Sequence, residues 1–218
     1  MQRPPAIIAI GKNYLDHATE MGGKPPEHLM VFTKNPASVV GDGDAIRIPV
    51  ICRVNGPQVD WEGELAVIIG RDCKDASPAE ALAFVAGYAV ANDVSARWWQ
   101  LKGSGGQFCR GKGFDTFCPM SVPVPAASVP DPQALRIITR VNGAVMQDAG
   151  TDGMVFGVAR IISDLSQGTT IVAGTVILTG TPAGVGAGRT PPVFLAHGDV
   201  VEVEIPGVGR LRNPVIEE

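Results

Sequence analysis

Asp60, Glu62 and Glu64 stand at every second position of the stretch DWEGEL, which runs on into the apolar AVIIG. In a β-strand, side chains two apart share a face, so this spacing gathers three carboxylates. Two carboxylates about 4 Å apart at an effective dielectric near 20 repel by about 4 kcal/mol. A partly buried cluster therefore needs protons or a cation, whereas a solvated strand edge needs neither. His17 and Glu20 are three apart, so one helical turn puts imidazole and carboxylate on one face, either as a base with a fixed tautomer or as a surface ion pair. Arg97 and Gln100 share a face in the same way, and Lys112 follows a glycine-rich stretch, where it is either a site residue or an ordinary solvated lysine.

These groups need rigid elements to hold them. Residues 6–11, AIIAIG, suit a short buried strand, and NYLDHATEMG after it has a helical turn's pattern, stopped by Gly22, Gly23, Pro25 and Pro26. That exit has little anchorage, which predicts a loose lid carrying His17 over the site. Strands are predicted at 29–33, 44–48 and 62–69, the last carrying the acids into the core. Ser77, Pro78 and Glu80 form a capping box that predicts a short helix. A buried strand over 85–92 ends in Asp93, and Ser95 caps a helix bearing Arg97 and Gln100. RIITRVNGAVMQ is a hairpin turning at Asn142-Gly143, and residues 153–165 form an amphipathic helix. TVILTGTPAGVGAG reads as a strand entering a turn, and DVVEVEI as an exposed edge strand.

The chain as a whole limits its partners. Its 218 residues carry no evident linker and are read as one domain, 1–218; 27 Gly and 18 Pro imply many turns between short strands, a mixed and β-rich class. A net charge of -4 without a basic run argues against nucleic acid and for a small-molecule partner. No run of about 18 apolar residues suggests a membrane span, and no signal peptide is evident, so a cytoplasmic location is expected. Cys52, Cys73, Cys109 and Cys118 form no C-x-x-C pair and are read as reduced thiols.

Taken in order, GKNYLDHATEMG, DWEGELAVIIG, ANDVSARWWQ, GKGFDTFCP, LTGTPAGVG and GRLRNPV resemble the fumarylacetoacetate hydrolase family, specifically its single-domain acylpyruvase-like branch, over about residues 6–215. The resemblance implies that family's fold, rolled mixed β-sheets forming a barrel- or sandwich-like core with a few short helices, and no additional N-terminal domain. It implies a Mg²⁺ or Mn²⁺ ion on Glu62, Glu64 and Asp93, with Asp60 outside the ligand set. His17 and Glu20 match the pair that activates water, and Lys112 the lysine that stabilises developing negative charge. Arg97, Gln100 and Thr181 match substrate-facing positions, with Tyr14 as a further neighbour. VAGT at 172–175 and His197 depart from the family pattern, and His197 is read as structural. The implied reaction is metal-dependent cleavage of a carbon–carbon bond in a 2,4-dioxo acid of the acylpyruvate or fumarylpyruvate type. Oxaloacetate-type decarboxylation, or tautomerisation, isomerisation or hydration of 2-oxo acids, are the alternatives, with a non-catalytic oxo-acid binder less favoured. A homodimer is also implied.

Overall fold

Three strands rich in aliphatic residues lie side by side in the middle of the larger sheet, as expected where both faces are covered. In the computed structural model, which describes residues 3–218, they are β1 (Ile7–Gly11), β6 (Gly63–Ile69) and β13 (Val176–Leu178). With β2 (Met30–Lys34), β7 (Val85–Asn92) and β10 (Val124–Pro125) they form a six-stranded mixed sheet in the order β10-β7-β6-β13-β1-β2. A second sheet of five strands has the order β12-β11-β14-β15-β4, from β4 (Ile46–Ile48), β11 (Arg136–Val141), β12 (Ala144–Gly150), β14 (Val200–Ile205) and β15 (Gly209–Glu217). Two short ladders complete the set: β3 (Val39–Val40) with β9 (Cys118–Pro119), and β5 (Val59–Asp60) with β8 (Ser95–Ala96). The helices are short: α1 (Leu15–Glu20), α2 (Arg97–Leu101), α3 (Phe108–Lys112) and α4 (Val158–Ser166).

The period of two in β6 sorts its side chains between two cores. Leu65, Val67 and Ile69 join the large cluster shared with Ile137, Val203 and Leu211 of the second sheet. Ala66 belongs instead to a smaller cluster with Ile7, Ala9, Ala89 and Phe32. Glu64 lies on the Ala66 face, where small alanines leave room at the end of the strand. Between the two glutamates, a β-carbon on Gly63 would stand 2.2 Å from Thr139 Oγ1 of the second sheet, so any side chain here would have to push that residue aside.

Several sequence expectations are corrected. The acids do not share one strand: β5 ends at Asp60, the chain breaks at Trp61–Glu62, and β6 starts at Gly63. The Ser77–Glu80 capping box forms, with Ser77 Oγ donating to Glu80 Oε2 at 2.5 Å, yet it leads into a 3₁₀ turn, Ala81–Phe84. Ser95 does not cap α2; its hydroxyl donates to the Asp93 carbonyl at 2.8 Å. The glycine-rich stretch contains α3, which carries Lys112. The helix expected from 153 starts only at Val158, because Val155 and Phe156 donate their backbone N–H groups to the Asn13 carbonyl and to Asn13 Oδ1. DVVEVEI is a central strand, hydrogen-bonded to β11 and β15; one solvated face gives it the alternation of an edge. The hairpin turn is as read, with φ of 52° at Asn142 and 81° at Gly143.

Gly63→Ala is expected to lower stability by about 1–3 kcal/mol through overpacking between the sheets. Thermal unfolding, in which each kcal/mol shifts Tm by about 2–4 °C at this size, checks it.

Candidate active site

Glu62, Glu64 and Asp93 converge at one end of the β6–β7 ladder: Glu62 precedes β6, Glu64 is its second residue, and Asp93 follows β7. A ligand oxygen from each lies within 4.8 Å of the others, and all three residues are buried. The backbone sets this meeting point. The Asp93 N–H donates to the Glu62 carbonyl at 2.8 Å, and the Glu62 N–H donates to Asn92 Oδ1 at 3.0 Å. Gly63 is pinned on both sides: its N–H donates to Gln147 Oε1 at 3.0 Å, and its carbonyl accepts from Thr181 Oγ1 at 2.9 Å. The glutamates thus diverge from a fixed peptide.

Three buried cations meet this cluster. Lys112 Nζ donates to Glu62 Oε2, Asp93 Oδ2 and Ser95 Oγ, each at 2.7 Å. Lys34 Nζ donates to Asp93 Oδ1 at 2.6 Å and also contacts the Lys112 carbonyl. Arg97 Nη1 donates to Glu62 Oε1 at 2.6 Å, and its Nε to Asp60 Oδ2 at 2.9 Å. Burial works to raise the Glu62 carboxyl, but Lys112 and Arg97 outweigh it and hold it down at about 2. Burial likewise opposes the charge of Lys112, yet Asp93 and Glu62 keep its pKa above the usual lysine range. Glu64 differs. Among the described residues it makes no ion pair, accepts one backbone bond from Gly180 at 2.7 Å, and is pushed well above the carboxylate range by burial and then by the charges of Asp93 and Glu62.

This asymmetry is the test of a metal. Four buried carboxyl groups, Asp60 included, face three buried cations, which leaves Glu64 without a partner among them, so that it keeps its charge only if a further cation is bound. The donor set is all oxygen, and each bonded carboxylate oxygen keeps a second lone pair. A hard divalent cation fits such a set, in the class of Mg²⁺ or Mn²⁺. Asp60 is saturated by the N–H groups of Trp61, Gly186 and Ala187 and by Arg97, consistent with its place outside the ligand set.

A cavity of about 300 Å³ opens onto two members of the triad, with His17, Glu62, Glu64, Gln100, Lys112 and Thr181 in its wall; Asp93 lies behind it, bonded to Lys112. His17 Nδ1 lies 3.4 Å from Glu20 Oε2, and Glu20 also accepts the Gly184 N–H at 3.0 Å. Burial alone would raise the Glu20 carboxyl; the bonds from His17 and Gly184 outweigh it and hold it low. A carboxylate can only accept, so the proton sits on Nδ1 and Nε2 is left as a base. Gln100 is oriented by a similar argument: Arg97 only donates, so Gln100 Oε1 faces it at 3.0 Å and the amide nitrogen remains as a donor.

Other expected residues behave differently. All three N–H directions of Lys112 are taken, so in this arrangement it acts through its charge. The Thr181 hydroxyl is committed to Gly63 and accepts from Gln147 Nε2 at 2.7 Å. Arg97 lies beneath Glu62 and is no part of the cavity wall. Tyr14 is not brought to this cavity: it borders a larger one of about 720 Å³ with Asp16, Asp148 and Asp152, which holds none of the triad. Its hydroxyl has no hydrogen-bond partner among the described residues, and burial, then Glu64 and Asp152, push it well above the phenol range. The helix carrying His17 is docked, because Asn13 at its base donates to the Phe156 and Thr179 carbonyls at 3.0 and 2.7 Å. Lys34 and Gln147 escaped the sequence reading. Lys34 had a signal, since it lies two residues beyond Phe32 on the inward face of β2.

Known proteins place this arrangement in a family. The family model described as fumarylacetoacetate (FAA) hydrolase C-terminal matches residues 6–216. The chain belongs to the fumarylacetoacetate hydrolase family. It is 45% identical over 215 residues to the oxaloacetate tautomerase FAHD2A, mitochondrial, of Homo sapiens, covering 98% of this chain and 67% of that protein. Over 212 residues it is 45% identical to the oxaloacetate tautomerase YisK of Bacillus subtilis (strain 168), covering 96% and 69%. The chain spans about two thirds of the length of these relatives. Among solved structures, fumarylpyruvate hydrolase from Pseudomonas aeruginosa in complex with Mn²⁺ and pyruvate matches with a TM-score of 0.88 at 29% identity, covering 99% of this chain and 91% of that one. A fumarylacetoacetate hydrolase from psychrophilic Exiguobacterium antarcticum matches at 0.87 and 43% identity, covering 99% and 76%.

Glu64→Gln removes the carboxyl that folding must keep protonated or leave charged and unpaired, and keeps the shape. A group whose folded pKa is raised costs stability above its unfolded pKa, so near pH 8 the variant without metal is expected to be more stable than the wild type by about 1–3 kcal/mol, with a higher Tm. The wild type is expected to gain an upward Tm shift with Mg²⁺ or Mn²⁺ that the variant lacks. Calorimetry with and without metal measures both.

Proposed function

We propose that the protein is a divalent-metal-dependent enzyme of short 2-oxo acids that works through the substrate's enol form, with keto–enol tautomerisation of an oxaloacetate-type acid as its favoured reaction. The observation that carries this is the meeting, at one cavity of about 300 Å³, of the two glutamates of an acidic triad suited to a hard cation and a histidine whose tautomer is set by a carboxylate. The names of the relatives at 45% identity support it.

Mg²⁺ or Mn²⁺ held by Glu62, Glu64 and Asp93 would supply Lewis acidity toward the carboxylate and 2-oxo oxygens of the substrate, which acidifies the C3–H bond. His17 Nε2 takes the C3 proton and returns it to the oxygen, or the reverse. An imidazole with one nitrogen free can both accept and return a proton, which the two directions require. Glu20, pinned by Gly184, steadies the imidazolium formed in between. Gln100 offers its amide N–H to the oxygen that gains charge, and Lys112 adds a fixed positive charge beside it.

A second reading is hydrolysis of a carbon–carbon bond in an acylpyruvate. The apolar side of the cavity, formed by Met30, Phe32 and Phe108, favours it, because an acyl group would pack there. In that reaction His17 draws a proton from water instead. Decarboxylation needs no such base.

Proton exchange at C3 of oxaloacetate followed by NMR, CO₂ release, and pyruvate release from acylpyruvates separate the three. Chelation should abolish activity, and His17→Gln should slow exchange by about 10²–10⁴-fold. Undiminished exchange in His17→Gln, or full turnover after exhaustive chelation, would remove the support for this reading.

A further inference from the structure

Lys12 is a cation of the cavity wall that nothing in the protein uses. It lines the same cavity as His17, Glu62 and Glu64, and it is half-buried. Among the described residues it has neither an ion pair nor a hydrogen-bond partner. Every other lysine or arginine at the site is committed: Lys112 to Glu62 and Asp93, Lys34 to Asp93, and Arg97 to Asp60 and Glu62.

The backbone at Lys12 is also unusual. Its φ is 55°, a left-handed conformation that costs a residue with a β-carbon about 1–2 kcal/mol. The neighbours enforce it. Asn13 is fixed by its bonds to Phe156 and Thr179, and Gly180 presses against it so closely that a β-carbon there would lie 2.7 Å from the Asn13 β-carbon. Lys12 is caught between the end of β1 and this anchor. Its ammonium reaches the turn after α1, 3.5 Å from where a β-carbon on Gly23 would stand. His17 and Lys12 therefore belong to one segment of the cavity wall, which runs from the end of β1 through α1.

We propose that Lys12 is the residue that selects the substrate's distal group, and that the group it takes is a second carboxylate. The inference rests on the oxo-acid reading above and narrows it to dicarboxylic 2-oxo acids. In a four-carbon oxo diacid the second carboxylate is bonded to C3, the carbon whose proton His17 takes. It must then lie within reach of the His17 segment. The ion-paired Lys112 is already committed, and the wall residues Met21, Met30, Phe32 and Phe108 have no charge to offer it. An uncommitted ammonium half out of water is suited to meet it by a charge-assisted hydrogen bond.

The test compares ligands that share a head group and differ at this end. Mg²⁺-loaded protein is titrated calorimetrically with oxalate, which has no distal group, and with L-malate and L-lactate, which differ by one carboxylate. Lys12→Asn removes the charge with a residue that tolerates positive φ, and Lys12→Arg keeps it. Lys12→Asn is expected to weaken malate about 10-fold or more, to leave oxalate and lactate within about 2-fold, and to raise KM for oxaloacetate more than it lowers kcat. Lys12→Arg should restore most of the malate affinity. Equal loss of malate and oxalate, or no loss of either, overturns the assignment of Lys12 while the functional reading stands. A wild-type protein that binds none of the three with Mg²⁺ overturns the functional reading, and this inference with it.

Discussion

The ammonium of Lys112 joins Glu62 to Asp93, and much of the site depends on that contact. Without a cation between them, the end of β6 and the turn after β7 would bring like charges together in the interior, at a cost of several kcal/mol. Lys34 and Arg97 extend the same compensation outward, one to Asp93 and the other to Asp60. The result is a buried lattice of alternating charge in which every member but Glu64 has an opposite partner. A lattice of this kind is rigid for a physical reason: moving any member exposes another to an uncompensated field.

Rigidity here is achieved with small residues and backbone bonds more than with bulk. Gly63 lets the second sheet approach, Gln147 and Thr181 hold its peptide, and Asn13 ties the start of α1 to two distant segments. Gly63, Gln147 and Asn13 lie outside the cavity wall and touch no substrate in the proposed reaction. They fix the directions of those that would, which is the part of catalysis that preorganisation supplies.

Glu62, Glu64 and the His17–Glu20 pair stood out in the sequence by short, local spacings, but their roles, and Asp93 as third ligand, came only from the resemblance of the ordered motifs to the family. Acids two apart and a histidine three residues before a glutamate need no knowledge of the fold to stand out. The β-rich class and most strand positions were legible for the same reason, since a period of two is local. What was hidden depends on pairing at long range. DVVEVEI alternates whether it is an edge or a central strand, and only its neighbours β11 and β15 decide. The late start of α4 is set by Asn13, more than a hundred residues earlier. The commitment of the Thr181 hydroxyl depends on Gln147, and the burial of Lys34 on Asp93, contacts that no window of sequence contains.

The place of β13 has a consequence for how the molecule comes into being. It lies between β1 and β6, yet it is made more than a hundred residues after either. Until residues 176–178 leave the ribosome, β1 and β6 each present an unpaired edge where the centre of a sheet will be. These are apolar edges, and nascent chains with such edges invite pairing with one another or with a chaperone. The triad shares that fate, because Glu64 takes its one backbone bond from Gly180, just past β13. Closure of the sheet and completion of the metal site are therefore one late event in synthesis, and no truncated chain ending before this strand can carry the assembled site.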